Sequence, residues 1–197
     1  MSLYLVPFAI ERRTDARPVV TIALLATTLA LHVASAAGLV DPAALAFEWQ
    51  APTILEWLVS QVVHADFLHW LFNAIDLALF ATTVEDALGG RRFLGWLGVT
   101  VAAAVLLEWA AFHRYEGSSY GSSGIVFACI GGALVLAPGT RLRMTFASMQ
   151  HRRAWSLPMW VVAILYAGYE LWRWLSSSMA RDAARAGGEQ VSELVAA

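Results

Sequence analysis

The sequence predicts an all-α, polytopic membrane protein. Of its 197 residues, 59% are hydrophobic and only 14% charged, which is far too apolar for an ordinary soluble domain. Five apolar stretches approach the roughly 20 residues needed to cross a hydrocarbon core, and polar segments separate them. Backbone exposed to lipid must satisfy its own hydrogen bonds, so each stretch is expected to be a helix. The formal net charge of -2 gives no case for nucleic-acid binding. The lone Cys129 rules out an internal disulfide and reads as a small core residue.

Residues 1–17 form an N-terminal segment whose first part, Met1 to Glu11, is rich in Leu, Val, Phe and Ile and reads as interfacial. The first span covers residues 18–40. It contains Ala34-Ser35-Ala36, the form of a signal-peptidase site, but the apolar stretch is too long for a signal h-region, so the span is expected to be retained. The second span is 68–88, the third 93–112, the fourth a short 123–138, and the fifth 155–174. Between them lie polar breaks at 41–66, 89–92, 113–120 and 139–153.

All 13 basic residues are Arg, and their placement sets the expected orientation. Arg12, Arg13 and Arg17 precede the first span, Arg91 and Arg92 follow the second, and Arg141, Arg143, Arg152 and Arg153 follow the fourth. These connections alternate onto one side, which the positive-inside rule makes the cytoplasm, with the N-terminus there. The fourth span then runs inward, and Ser123 at its head lies near the outer face.

Two groups of residues stand out from this apolar background. Gly121-Ser122-Ser123-Gly124 opens onto the fourth span, placing a hydroxyl between residues that let other backbones approach closely. Small residues in membrane helices more often serve packing, and Gly124, Ala128 and Gly132 form such a ridge. The second group favours chemistry for Ser123. His69, Asn73 and Asp76 sit at i, i+4 and i+7 on one helix face, near the same outer end. Polar groups at that depth are costly unless they face a bundle interior or a wet cavity. A serine nucleophile needs donors for a developing oxyanion, and His69 and Asn73 can donate. His64 is expected to hydrogen-bond within the outer loop, Glu85 to anchor the inner end of its span near Arg91 and Arg92, and Asp76 to act as an interior hydrogen-bonding partner.

Other intramembrane chemistries lack their residues. There is no His-Glu-x-x-His, His64 and His69 are spaced wrongly to share a helix face, and no cysteine pair supplements them, so no metal is expected. No Gly-x-Gly-Asp site accompanies Asp76, and no internal repeat suggests a transporter.

The run His64-Ala65-Asp66-Phe67-Leu68-His69-Trp70-Leu71-Phe72-Asn73, followed by Glu85, Gly89 and Gly121-Ser122-Ser123-Gly124, resembles the rhomboid intramembrane serine proteases. The resemblance covers roughly residues 18–197. It implies a rhomboid-like bundle of six helices, five of them recognisable here, in a multi-pass protein of a bacterial cytoplasmic membrane. It implies Ser123 as nucleophile and His69, Asn73 and the Ser123 backbone N–H as the oxyanion site. Gly121, Gly124 and His64 would shape the site, and Glu85 and Gly132 would support the fold. Transmembrane protein substrates and the bilayer are the implied partners, and no cofactor is implied.

The chain departs from the family pattern in two places. Leu55-Glu56 stands where many rhomboids carry a Trp-Arg pair in a first loop partly embedded in the membrane, although Ile54 to Val63 is apolar enough to embed likewise. The family's general base is a His on the sixth helix, whereas after Trp174 this sequence has a polar stretch and then Val191 to Ala197, which reads as the first turns of a truncated helix. His113 is the one conceivable stand-in, and the family geometry does not bring the third helix there. Two readings follow. The chain is a C-terminally incomplete copy of an active endopeptidase, nearly inactive as it stands, or an inactive rhomboid-like protein that binds client helices. The retained Ser123 and oxyanion donors favour the first, because buried polar groups in a membrane carry a cost.

Overall fold

The computed structural model describes residues 4–10, 17–148, 151–169, 172 and 175. Strand β1 (Tyr4–Ile10) is followed by helix α1 (Val19–Ala36). The first connection holds the two-residue strand β2 (Phe47–Glu48) and the short helix α2 (Ile54–Val59). Helix α3 (Phe67–Leu88) contains a π-helical turn over Leu77–Ala81. Then come α4 (Gly90–Phe112), strand β3 (Ser118–Ser119), α5 (Ser123–Leu136), strands β4 (Arg141–Ser148) and β5 (His151–Pro158), and α6 (Met159–Tyr169).

Helices α1, α3 and α4 are each long and apolar enough to cross a membrane. Their outward residues, among them Ile22, Leu29, Val33, Leu94, Val99 and Leu107, are exposed apolar side chains suited to lipid. At 14 residues α5 is only about 21 Å long, too short to span alone. It occupies the middle instead. Val126, Cys129 and Ala133 are fully buried against Leu77, Phe80, Ala81 and Val84 of α3, Phe93 of α4 and Met159 of α6.

The ends of these helices follow from local chemistry. Asp66 caps α3 by accepting from the His69 N–H at 2.8 Å. Gly89, at φ +77°, ends α3 and begins α4 with no intervening loop. Helix α5 stops at Leu136 rather than at residue 138, because Pro138 disfavours a helical conformation at Ala137, which has φ -141°. Thr53 and Glu56 form a reciprocal capping box on α2, with both bonds at 3.2 Å. Glu56, one half of the family departure at Leu55-Glu56, thus has a local structural task. On the same helix Ile54, Leu55 and Leu58 are exposed.

Two small sheets were not foreseen. β1, β4 and β5 form an antiparallel sheet in the order β1-β4-β5, with Tyr4 opposite Ala147 and Arg141 opposite Pro158. The expected interfacial segment and the expected polar break at 139–153 are therefore paired strands. The fifth helix begins at Met159, not at residue 155, since Pro158 holds Leu157 extended and the Met159 N–H donates to the Thr140 carbonyl. At the opposite end of the bundle β2 pairs with β3, Phe47 opposite Ser119. Each sheet joins connections that alternate helices place at the same end, so the strand pairing and the arginine distribution agree on which segments share a side. The end of the expected fifth span, with Glu170 and Trp174, and the expected helix start at Val191 to Ala197 lie outside the described residues.

Candidate active site

The heads of α3 and α5 meet at the end of the bundle that carries β2 and β3. Gly121 has φ +128°, and a Cβ there would stand 2.8 Å from Cε1 and Nε2 of His69. Only glycine lets the chain pass that close to the ring in that conformation. The Gly121 N–H donates to the Ser60 carbonyl at 2.8 Å, tying the turn to the first connection. At Gly124 a Cβ would meet Gln61 Oε1 at 3.4 Å, an ordinary contact.

The two serines of the turn have different environments. Ser122 is fully buried, and His64 is 2% exposed. His64 Nε2 lies 3.0 Å from Ser122 Oγ and also accepts from the Ser122 N–H at 3.3 Å. Accepting from a backbone N–H requires an unprotonated Nε2, so the proton of the neutral ring is on Nδ1. Burial lowers the His64 pKa to about 4, and the nearby His69 and His32 push the same way against the Val62 carbonyl. His64 therefore also reaches beyond its own loop, to the head of the fourth span.

Ser123 is exposed. It opens onto a cavity of about 770 Å³ whose walls include His69, Asn73 and Asp76 of α3 and Tyr166 and Tyr169 of α6. Ser123, His69 and Asn73 thus line one space. Asn73 is 6% exposed, and its Nδ2 donates to the His69 carbonyl at 2.8 Å. An amide nitrogen has a second N–H, which can be offered to a ligand in the cavity. No histidine hydrogen-bonds Ser123 among the described residues.

The supporting residues lie deeper in the bundle. Glu85, 4% exposed, accepts from the Val20 N–H at 3.0 Å, the Thr21 N–H at 2.8 Å and the Thr21 hydroxyl at 2.7 Å. It caps the N-terminus of α1 from another helix, a task different from the expected anchoring near Arg91 and Arg92. At Gly132 a Cβ would stand 3.0 Å from both Trp96 and Val84, so α5 packs closely there on α3 and α4. The described residues contain no group of His, Cys, Asp or Glu able to hold a metal ion.

Sequence reasoning missed the Ser122–His64 pair and the tyrosines of the cavity wall. Ser122 carried a signal, a second hydroxyl in a turn otherwise made of minimal side chains. The tyrosines carried none beyond their place on an apolar span.

The chain is thus a helical membrane bundle with a serine at the head of its short central helix, on a cavity shared with a histidine and an asparagine of a neighbouring helix. Residues 51–185 match the family model of the Rhomboid domain. The chain belongs to the rhomboid family. It is also similar to the rhomboid protease GluP of Bacillus subtilis (strain 168), at 34% identity over 89 residues, or 44% of this chain and 17% of that protein. No solved structure matches it.

Proposed function

We propose that this chain is the core of an intramembrane serine endopeptidase that cuts transmembrane substrates near the outer face through Ser123. The observation that carries this reading is the exposure of Ser123 to a cavity shared with His69 and Asn73. Ser123 Oγ attacks the scissile carbonyl carbon, and its proton passes to a base. The carbonyl oxygen takes up the negative charge, facing the Ser123 N–H at the head of α5, His69 and the second N–H of Asn73. Collapse expels the amine with a proton and leaves an acyl-enzyme on Ser123, which water then hydrolyses. The substrate helix must unwind first, because its carbonyl is held in a helical hydrogen bond, so segments with Gly, Pro or other weak helix formers are favoured. The expected setting is a bacterial cytoplasmic membrane with the N-terminus in the cytoplasm.

Among the described residues no histidine hydrogen-bonds Ser123, and the family resemblance assigns the base to a sixth helix. That observation also favours a second reading, a non-cleaving rhomboid-like protein that binds client helices. A fluorophosphonate probe on the naturally encoded protein in detergent separates the two. Labelling of wild type that is lost in Ser123→Ala supports the endopeptidase. An intact fold without labelling supports the binder.

A further inference from the structure

The turn that leads into α5 is held residue by residue, in part from the end of the first connection. The Gly121 N–H donates to the Ser60 carbonyl at 2.8 Å, the Ser122 N–H donates to His64 Nε2 at 3.3 Å, and the Ser122 carbonyl accepts the first helical bond from Val126 at 2.9 Å. The next donor is the Ser123 N–H, which belongs to the first residue of the helix and so has no carbonyl to meet within it. Its direction is set by the ψ of Ser122, which is 9°, about 50° from the helical value. Serine in this capping position commonly turns its oxygen back onto its own helix, but the Ser122 side chain caps nothing and lies instead 3.0 Å from His64 Nε2. Ser60, His64 and Ser122 are all buried, so bulk water does not compete for these bonds. The His64 ring also stands edge-on to that of His69, with centroids 5.1 Å apart.

We infer that Ser122 is a positioning residue: gripped by His64 through both its N–H and its hydroxyl, it fixes the direction in which the Ser123 N–H meets the oxyanion. This rests on Ser123 being the nucleophile. An Nε2 that accepts from the Ser122 N–H carries no proton, so the hydroxyl donates to it as well. The hydroxyl makes the shorter of the two contacts, and without it the turn is held to the ring by the longer one alone. A donor serves an oxyanion only when it is aimed beforehand at the place where the charge develops, and losing one such donor costs about a hundredfold in rate or more. A donor that is loosened rather than lost costs less, on the order of tenfold. The second residue of Gly121-Ser122-Ser123-Gly124 thus has a task distinct from that of the serine beside it.

The test follows the rate at which a fluorophosphonate labels Ser123 in the naturally encoded protein in detergent, because the phosphoryl oxygen of the probe takes the place of the oxyanion. Varying the probe concentration separates rate from affinity. Ser122→Ala is expected to lower the maximal labelling rate about tenfold and His64→Leu about a hundredfold, with the half-saturating concentration within about twofold of wild type, since the oxyanion contact forms only in the transition state. His64→Gln keeps an acceptor at the place of Nε2 and should recover most of the rate lost in His64→Leu. A merely structural role would instead lower the fraction of protein that labels and leave the rate of that fraction unchanged. Amide hydrogen exchange at Ser122, read by NMR on the same proteins, is expected to be slow in wild type and His64→Gln and about tenfold faster in His64→Leu. Where His64→Leu does not fold, the labelling rate of Ser122→Ala decides. Full-rate labelling of Ser122→Ala, a His64→Gln no better than His64→Leu, or Ser122 exchange that His64→Leu leaves unchanged overturns the inference. His64-dependent exchange at Ser122 in a folded wild-type protein that never labels refutes the endopeptidase reading and leaves the hold of His64 on Ser122 standing.

Discussion

Glu85 and Asp76 are carried by the same helix, and their surroundings differ in kind. Glu85 is buried with three donors around its carboxylate, all from the first residues of α1. Asp76 lies on a cavity wall beside Asn73, whose Oδ1 is buried and without a partner among the described residues. The π turn over Leu77–Ala81 separates them and shifts the helical phase between the cavity-facing and core-facing stretches. One carboxyl group is enclosed at the start of another helix, and the other stands on the wall of the cavity that Ser123 also lines.

The largest effect that would break this comparison is at Glu85. Glu85→Ala leaves two backbone N–H groups and the Thr21 hydroxyl buried without their acceptor, and should cost about 3 kcal/mol. Reversible denaturation in mixed micelles would measure the loss. A loss below about 1 kcal/mol would mean that the Val20 and Thr21 donors find other acceptors. Gly121→Ala sharpens the picture at the end of the bundle that carries β2 and β3. It meets both an unfavourable φ and the His69 ring 2.8 Å away, so it should cost about 2 kcal/mol and reduce Ser123 labelling at least tenfold.

Much of this was legible in the sequence, and the reasons are physical. Apolar length identified the spans, and the i, i+4, i+7 spacing put His69, Asn73 and Asp76 on one face, because helical periodicity is a local property. Pairing between distant segments was not legible. Tyr4–Ile10 is an apolar run that reads equally well as an interfacial helix, and only contact with Arg141–Ser148 makes it a strand. Glu85 was misread for a related reason. Arg91 and Arg92 are its neighbours in sequence, but the donors that hold it lie at Val20 and Thr21. His64 likewise found its partner 58 residues away in Ser122, where spacing along one helix gives no guidance.

The Ser122–His64 pair predicts a pH dependence of stability. The folded pKa of His64 is lowered from its ordinary 6.5 to about 4, so the unfolded chain takes up the proton first as pH falls. The stabilisation from keeping the ring neutral is complete above about pH 6.5 and is lost progressively towards pH 4. Thermal scans of wild type should fall through that window, and His64→Gln should flatten the fall. Ser122→Ala removes one donor to Nε2 and should cost about 1 kcal/mol. Nitrogen NMR of the histidine rings would follow the protonation directly. A His64 midpoint at 6.5 in the folded protein would sink this account.

The smallest effects separate two adjacent glycines on α5. At Gly132 an added Cβ stands 3.0 Å from Trp96 and Val84, so Gly132→Ala must push α4 or α3 outward by a few tenths of an ångström. At Gly131 nothing lies within 4 Å of the added atom. Both positions gain helix propensity from alanine, about 1 kcal/mol in a helix interior. Gly131→Ala should therefore be neutral or stabilising, whereas at Gly132 the crowding offsets the gain and leaves a net loss of up to about 1 kcal/mol. Denaturation midpoints of the two variants, measured side by side, test whether closeness of packing rather than glycine content matters on this helix. A loss at Gly131 matching that at Gly132 would mean that the face bearing Gly131 is covered by another part of the protein.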